Sequence, residues 1–223
     1  LRAVSLSFLE TIFTANSKPA GDYLWLQIPL SFMGKMDNKV AIVTGGGKGI
    51  GFGIATAFAK EGANLVITGR TIERLQSAKE KLEAYGVTVL PVAADGGDEA
   101  QVKEAVRQTI EKFGKIDVLV NNAQVSKSGV LLKDHTKEDF DLAVNSGLYA
   151  AFFYMRECYP YLKESKGSVI NFASGAGLFG KPGQSSYAAS KEGIRGLSRV
   201  AATEWGPDGI NINVVCPLVY TEQ

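Results

Sequence analysis

"KVAIVTGGGKGIGFGIATAFAKEGANLVITGR", residues 39–70, decides the fold. Its first six residues are a β-branched apolar run with no polar alternation, the composition of a strand buried on both faces. "IGFGIATAFAKEG" then takes helical spacing and stops at Gly62, where a glycine can end a helix in the left-handed conformation. "ANLVITG" returns to strand composition. Two buried strands joined through a helix call for parallel pairing and a crossover connection.

The same alternation continues along the chain. "TIERLQSAKEKLEAYG" reads as a helix from Thr71 to its glycine stop at Gly86, "VTVLPVAAD" as strand and "DEAQVKEAVRQTIEKFG" as helix. "IDVLVNNA" is strand, residues 137–164 read as one long helix, "GSVINFAS" is strand, residues 185–205 are helix and "ININVVCP" closes with strand. The expected fold is a single-domain α/β doubly wound parallel sheet, Rossmann-like, with strand order 3-2-1-4-5-6. Such a sheet binds ligands beyond the carboxyl ends of its strands, at the switch between the first and fourth.

Bulk composition removes several function classes. The 223 residues suit one domain with a substantial core. Lys plus Arg number 24 and Asp plus Glu 23, a balance that argues against a nucleic-acid binder. Two cysteines, Cys158 and Cys216, form neither a metal-binding spacing nor a disulfide framework, which points to a reducing, cytoplasmic setting. The single histidine, His135, reads as an exposed residue before a helix capped by Thr136, with Asp139 at N3. No run of eighteen apolar residues suggests a membrane span. Residues 1–36 lack the layout of a secretory signal and are read as an N-terminal extension. Met33 and Met36 are candidate natural starts, and "YLWLQIPLSF", residues 23–32, is a candidate strand-like packing segment.

The turn "TGGGKGIG", Thr44 to Gly51, joins the first strand to the first helix. Gly45, Gly47, Gly49 and Gly51 allow a tight turn and close backbone approach, while Ile50 opens a helix whose free N–H groups suit pyrophosphate. A Walker loop needs Gly-Lys followed by Ser or Thr; Gly49 follows Gly47-Lys48 here, so that reading fails. At the end of the second strand an acid would bond a ribose 2′-hydroxyl, but Gly69 and then Arg70 stand there. Arg70, with Lys48, can hold a 2′-phosphate, so NADP(H) is preferred and NAD(H) is the alternative.

"SGAGLFGKPGQSSYAASKEG", residues 174–193, places Tyr187 and Lys191 on one face of a helix, with Ser174 at a strand end. A free phenol titrates near 10, and an adjacent ammonium favours its ionised form. A serine that holds the substrate oxygen completes a reasonable acid–base site.

With these motifs the chain resembles a short-chain dehydrogenase/reductase over about residues 39–216. The resemblance rests on "TGGGKGIG", "NNA", Asn145 in "LAVNSG", Ser174 and "YAASK". It implies a dinucleotide-binding and catalytic domain over residues 37–223 and a Ser174–Tyr187–Lys191–Asn145 tetrad. In that tetrad Asn145 anchors a water leading from Lys191, and Lys191 also bonds the nicotinamide ribose. It further implies Asp95 facing the adenine, Asn121 and Ala123 beside the adenosine half, and Pro217 and Thr221 near the carboxamide. The partner is then a small carbonyl or alcohol, with no nucleic acid, membrane or metal, and the assembly a homodimer or homotetramer through the helices at 137–164 and 185–205.

Three departures from the family pattern stand out. Gln124 replaces the glycine of Asn-Asn-Ala-Gly, so a side chain would project near the cofactor or substrate entrance unless the backbone turns it away. Leu218 follows Pro217 where glycine is usual, and Thr221 is one residue short of the usual spacing. The chain stops at Gln223, without the family's substrate lid and seventh strand, so it is expected to be either an incomplete view of a longer protein or an unusual short form. The leading expectation is hydride transfer between NADP(H) and a carbonyl or secondary alcohol, a 3-oxoacyl thioester among the candidates. A non-catalytic nucleotide-binding or scaffold protein is the alternative.

Overall fold

The computed structural model describes residues 34–217. Thr221 and residues 23–32 lie outside them, as does most of the 1–36 extension. The described residues build a six-stranded sheet in the order β3-β2-β1-β4-β5-β6. The strands are β1 (Val40–Thr44), β2 (Asn64–Gly69), β3 (Val89–Ala93), β4 (Val118–Asn121), β5 (Ser168–Phe172) and β6 (Asn211–Val215). Every neighbouring pair is parallel, with Ala41 opposite both Leu65 and Val118.

The apolar runs are continuous because both faces of the sheet are covered. Side chains alternate between them. Ile42, Val66, Leu119 and Val169 enter one core with α3 (Glu99–Phe113), α5 (Ala150–Ser165) and α7 (Ser185–Trp205). Ala41, Val43, Leu65, Ile67 and Val120 enter the other with α1 (Gly49–Lys60) and α2 (Ile72–Glu83). Helix ends follow local chemistry. Asp98 caps α3 by accepting from the Ala100 and Gln101 N–H groups, and Gly114 closes it at φ +73°. Thr136 caps α4 (Lys137–Ala143) by accepting from the Asp139 N–H at 3.1 Å, as the sequence suggests.

Two elements differ from expectation. The helix anticipated over residues 137–164 is interrupted: α4 ends at Ala143, a π-turn runs over Val144–Tyr149, and α5 follows. Ser146 explains the break. Its Oγ lies within donating distance of Leu142 O (2.6 Å) and Val125 O (2.8 Å) and accepts from the Val125 N–H (3.0 Å), so this side chain ties a neighbouring loop to the π-turn. His135 is half-buried rather than exposed, and its Nε2 lies 2.8 Å from Ser186 Oγ on α7. The segment after β5 also contains a short helix, α6 (Gly175–Phe179), that helical periodicity could not show in five residues.

At the amino edge of the sheet Asp117 is buried. Burial raises its carboxyl, but the Val40 N–H and the Lys39 and Lys115 ammoniums outweigh this and hold it below the ordinary 3.8. A depressed carboxylate stabilises the fold above its unfolded value and loses that contribution as pH falls through the folded one. Asp117→Ala should therefore cost about 2 kcal/mol at pH 7. The cost should shrink below pH 4, which urea unfolding at both pH values measures.

Candidate active site

A cleft of about 1350 Å³ opens at the carboxyl ends of β1, β2, β4 and β5. Its floor at the switch point is set by the glycine turn. Gly45 adopts φ +69°, and a side chain on Gly51 would start 2.3 Å from Gly45 O, so only hydrogen lets α1 sit against the turn. No acid occupies the first turn of α1 and no side chain caps it, which leaves its N–H groups toward the cleft, where Gly49 and Ile50 form the wall. Gly45, Gly47 and Lys48 line the same end.

Thr44 holds the two central strands in register there. Its Oγ1 accepts from the Asn122 and Ala123 N–H groups at 3.0 Å each, and Asn122 Nδ2 donates to Thr44 O at 3.0 Å. Ala123 lines the cleft as expected. Asn121 does not. Its side chain is buried below, where Nδ2 donates to Asn171 Oδ1 at 2.8 Å, and Asn122 takes the cleft wall instead. Strand alternation separates these adjacent asparagines.

Arg70 and Lys48 are exposed at the rim, and Arg74, which sequence reading missed, joins them. Arg74 comes one turn into α2, and its Cγ lies 3.4 Å from where a side chain on Gly47 would begin. Among the charged residues lining the cleft, Lys48, Arg70, Arg74, Lys181 and Lys191 face a single acid, Asp95. Asp95 sits after β3 and accepts from the Gly97 N–H at 3.0 Å.

The other end of the cleft collects Ser174, Tyr187 and Lys191. Ser174 leaves β5 and caps α6, its Oγ accepting from the Ala176 N–H at 3.1 Å. That bond uses the oxygen and leaves the hydroxyl proton free to be donated. Tyr187 lies in the first turn of α7, half-buried. Lys191 is 4% exposed, and its Nζ donates to Phe172 O at 2.6 Å and stands 5.6 Å from the Tyr187 ring centre. Burial pushes the Lys191 ammonium down to about 8. A phenol over a buried ammonium, beside a serine with a free proton, can pass a proton to or from a ligand oxygen.

Asn145 is not brought to this group. It is exposed on the π-turn, its backbone packs against Gly97, and its side chain is not part of the cleft wall. Gln124 turns inward instead. It lines the cleft, and its carboxamide lies over Gly147. Pro217 borders the site, and Cys216 stands beside it. On the outer rim Leu178 and Phe179 of α6 are 54% and 86% exposed, so apolar surface overhangs the catalytic end.

The chain is similar in sequence and structure to known proteins. The family model of short chain dehydrogenases matches residues 39–222. A 12alpha-hydroxysteroid dehydrogenase of a Clostridium species is 67% identical over 198 residues, covering 86% of this chain and 76% of that protein. The 3-oxoacyl-[acyl-carrier-protein] reductase of Thermotoga maritima is 35% identical over 184 residues, covering 82% and 74%. Among solved structures, levodione reductase superposes with a TM-score of 0.79 at 36% identity, covering 82% of this chain and 72% of that one. NAD+-bound xylitol dehydrogenase gives 0.80 at 30% identity, covering 82% and 71%.

Lys191 offers a check of the site's electrostatics. Its folded value near 8 lies below the ordinary 10.5, so the unfolded chain binds more protons between these limits. The residue therefore weighs most against the fold below pH 8, and less as pH rises toward 10.5. Lys191→Met should be more stable relative to the parent protein at pH 7 than at pH 10. Thermal unfolding at the two pH values reads this; the reverse order would contradict a buried, strained ammonium.

Proposed function

We propose a substrate class and a cofactor for this chain from the premise that it belongs to the short-chain dehydrogenase family and is an oxidoreductase acting on CH–OH or C=O groups. The reading is an NADP(H)-dependent hydroxysteroid dehydrogenase, interconverting a secondary alcohol and a ketone on a rigid apolar ring system. The observation that carries it is the joining of Ser174, Tyr187 and Lys191 under the exposed apolar edge of Leu178 and Phe179. An exposed apolar rim beside convergent polar groups suits a large apolar ligand with one reacting oxygen. The hydroxysteroid dehydrogenase at 67% identity supports the same class.

A nicotinamide cofactor held in the cleft would supply or accept the hydride. Ser174 donates its free proton to the substrate oxygen and fixes that oxygen near Tyr187. In reduction the Tyr187 hydroxyl gives its proton to the oxygen; in oxidation the phenolate takes it back. Lys191, held by Phe172 O, keeps a positive charge below the phenol while its ammonium is protonated. At the far end the N-terminus of α1 would hold the pyrophosphate, and Arg70, Arg74 and Lys48 would hold a 2′-phosphate where Gly69 leaves no acid to repel it. Tyr149 at the end of the π-turn and Phe152 on α5, both exposed, support self-association as a homodimer or homotetramer. The reducing setting favoured by the cysteine pattern supports a cytoplasmic protein.

NADPH with a panel of steroid ketones tests the substrate reading. Steroid turnover should exceed that of an acetoacetyl thioester, and Tyr187→Phe should reduce it by about 10²- to 10⁴-fold while NADPH still binds. Turnover of the thioester but of no steroid would overturn the substrate class. NADPH binding with turnover equal to that of Tyr187→Phe would favour the scaffold alternative. Replacing both Arg70 and Arg74 by Ala should weaken NADPH relative to NADH by about 10-fold or more. Cofactor titration by nicotinamide fluorescence measures that ratio, and an unchanged ratio would remove the 2′-phosphate assignment.

A further inference from the structure

The polar atoms behind Tyr187 and Lys191 do not follow the tetrad expected from resemblance. Asn145, the amide of that tetrad, is exposed and off the cleft wall. A different amide is close by. Gln124 leaves β4 and turns its side chain onto Gly147, in the π-turn. A side chain built on Gly147 would start 2.7 Å from Gln124 Cδ, 2.8 Å from Gln124 Oε1 and 2.5 Å from Ser190 Oγ. The missing side chain at 147 is thus the seat of the carboxamide at 124.

Both polar atoms at this seat are buried and lack a hydrogen-bond partner: Gln124 Oε1 and Ser190 Oγ. Their capacities are complementary, since the hydroxyl can donate and the amide oxygen can only accept. A hydrogen bond between them, direct or through one bridging water, would satisfy both. On its other side Gln124 Nε2 faces Ala143 O, the last carbonyl of α4, at 3.5 Å. Ser146 pins the adjacent Val125 backbone to the same π-turn. Ser190 immediately precedes Lys191 and follows Tyr187 by three residues, one helical turn.

We propose that Gln124 is a positioning residue for the Tyr187–Lys191 pair, its carboxamide seated over Gly147 and joining the π-turn to α7 at Ser190, one residue before Lys191. The inference rests on the oxidoreductase reading and is independent of the steroid one. It accounts for the glutamine after Asn-Asn-Ala and for the space left open at Gly147. Gln124 fills from the strand side a space that a longer residue at 147 would fill from the helix side.

Two measurements test it, one of them without any substrate. In thermal unfolding, Gly147→Ala should lower the melting temperature by more than about 5 °C, because the added carbon overpacks the seat. Gln124→Gly in the same chain should recover part of that loss, the remainder being set by Ser190 Oγ, which a side chain at 147 also meets. Additive effects would overturn the proposal whatever the enzyme acts on. In turnover with NADPH and any ketone it reduces, Gln124→Ala should lower kcat by about 10- to 100-fold, with KM for NADPH within about twofold. Its kcat–pH profile should shift, and the double variant Gln124→Gly/Gly147→Asn should regain most of kcat by returning an amide to the seat from the other wall. Wild-type kcat and pH profile in Gln124→Ala, or a double variant no better than Gln124→Gly alone, would overturn it. A steroid panel that fails while another ketone is reduced sinks the substrate reading and leaves this result standing.

Discussion

A buried ammonium is the constraint around which the site is arranged. Lys191 is nearly inaccessible, and desolvation works against its charge. What keeps it in place is a backbone carbonyl, Phe172 O, at the end of β5. That carbonyl cannot drift, because β5 is paired on both sides, Asn171 with Asn121 of β4 and with Val214 of β6. The rigid sheet therefore fixes the lysine, the lysine fixes the charge under Tyr187, and the first turn of α7 fixes the phenol. A charge disfavoured by its surroundings is also the kind of group whose removal gains stability and loses function.

The sheet separates stability from chemistry along its strands. At the amino edge Asp117 ties the starts of β1 and β4 to Lys39 and Lys115 and to the Val40 N–H, with no opening to the cleft. At the carboxyl edge Thr44 joins β1 to the Asn122–Ala123 segment, and the cleft begins directly above it. The cleft itself is divided. Its cationic half, at Lys48, Arg70 and Arg74, offers long-range attraction for phosphates, while the catalytic half meets apolar surface at Leu178 and Phe179. The two halves meet at the switch point, where the paired strands β1 and β4 send their following connections to opposite sides of the sheet.

The π-turn at Val144–Tyr149 brings distant segments together. It frees backbone at the junction of α4 and α5, admits the Val125 backbone through Ser146 and leaves Gly147 open to Gln124. Three segments distant in sequence then meet behind the catalytic helix. Relatives at 30–36% identity preserve the overall fold, so small exchanges at this junction are compatible with one scaffold.

The architecture was legible in the sequence because its signals are local. The apolar run at residues 40–44, the glycine turn, and the cap chemistry at Thr136 and Gly114 each act within a few residues, and α7 begins and ends where its periodicity indicates. The placement of Ser174, Tyr187 and Lys191 along the chain was legible for the same reason. Other features depended on partners from elsewhere. The helix over 137–164 reads as continuous until Val125 inserts against Ser146, and His135 reads as exposed until Ser186 meets it. Asn121 and Asn122 are chemically alike, and only strand orientation sends one into the core and the other to the cleft. Arg74 and Gln124 reached the site through a helix packed on a glycine and a side chain received by one. Local propensity and periodicity determined the elements and their order; which side chains share a cavity was decided by packing between segments far apart in the chain, where contact depends on three-dimensional register.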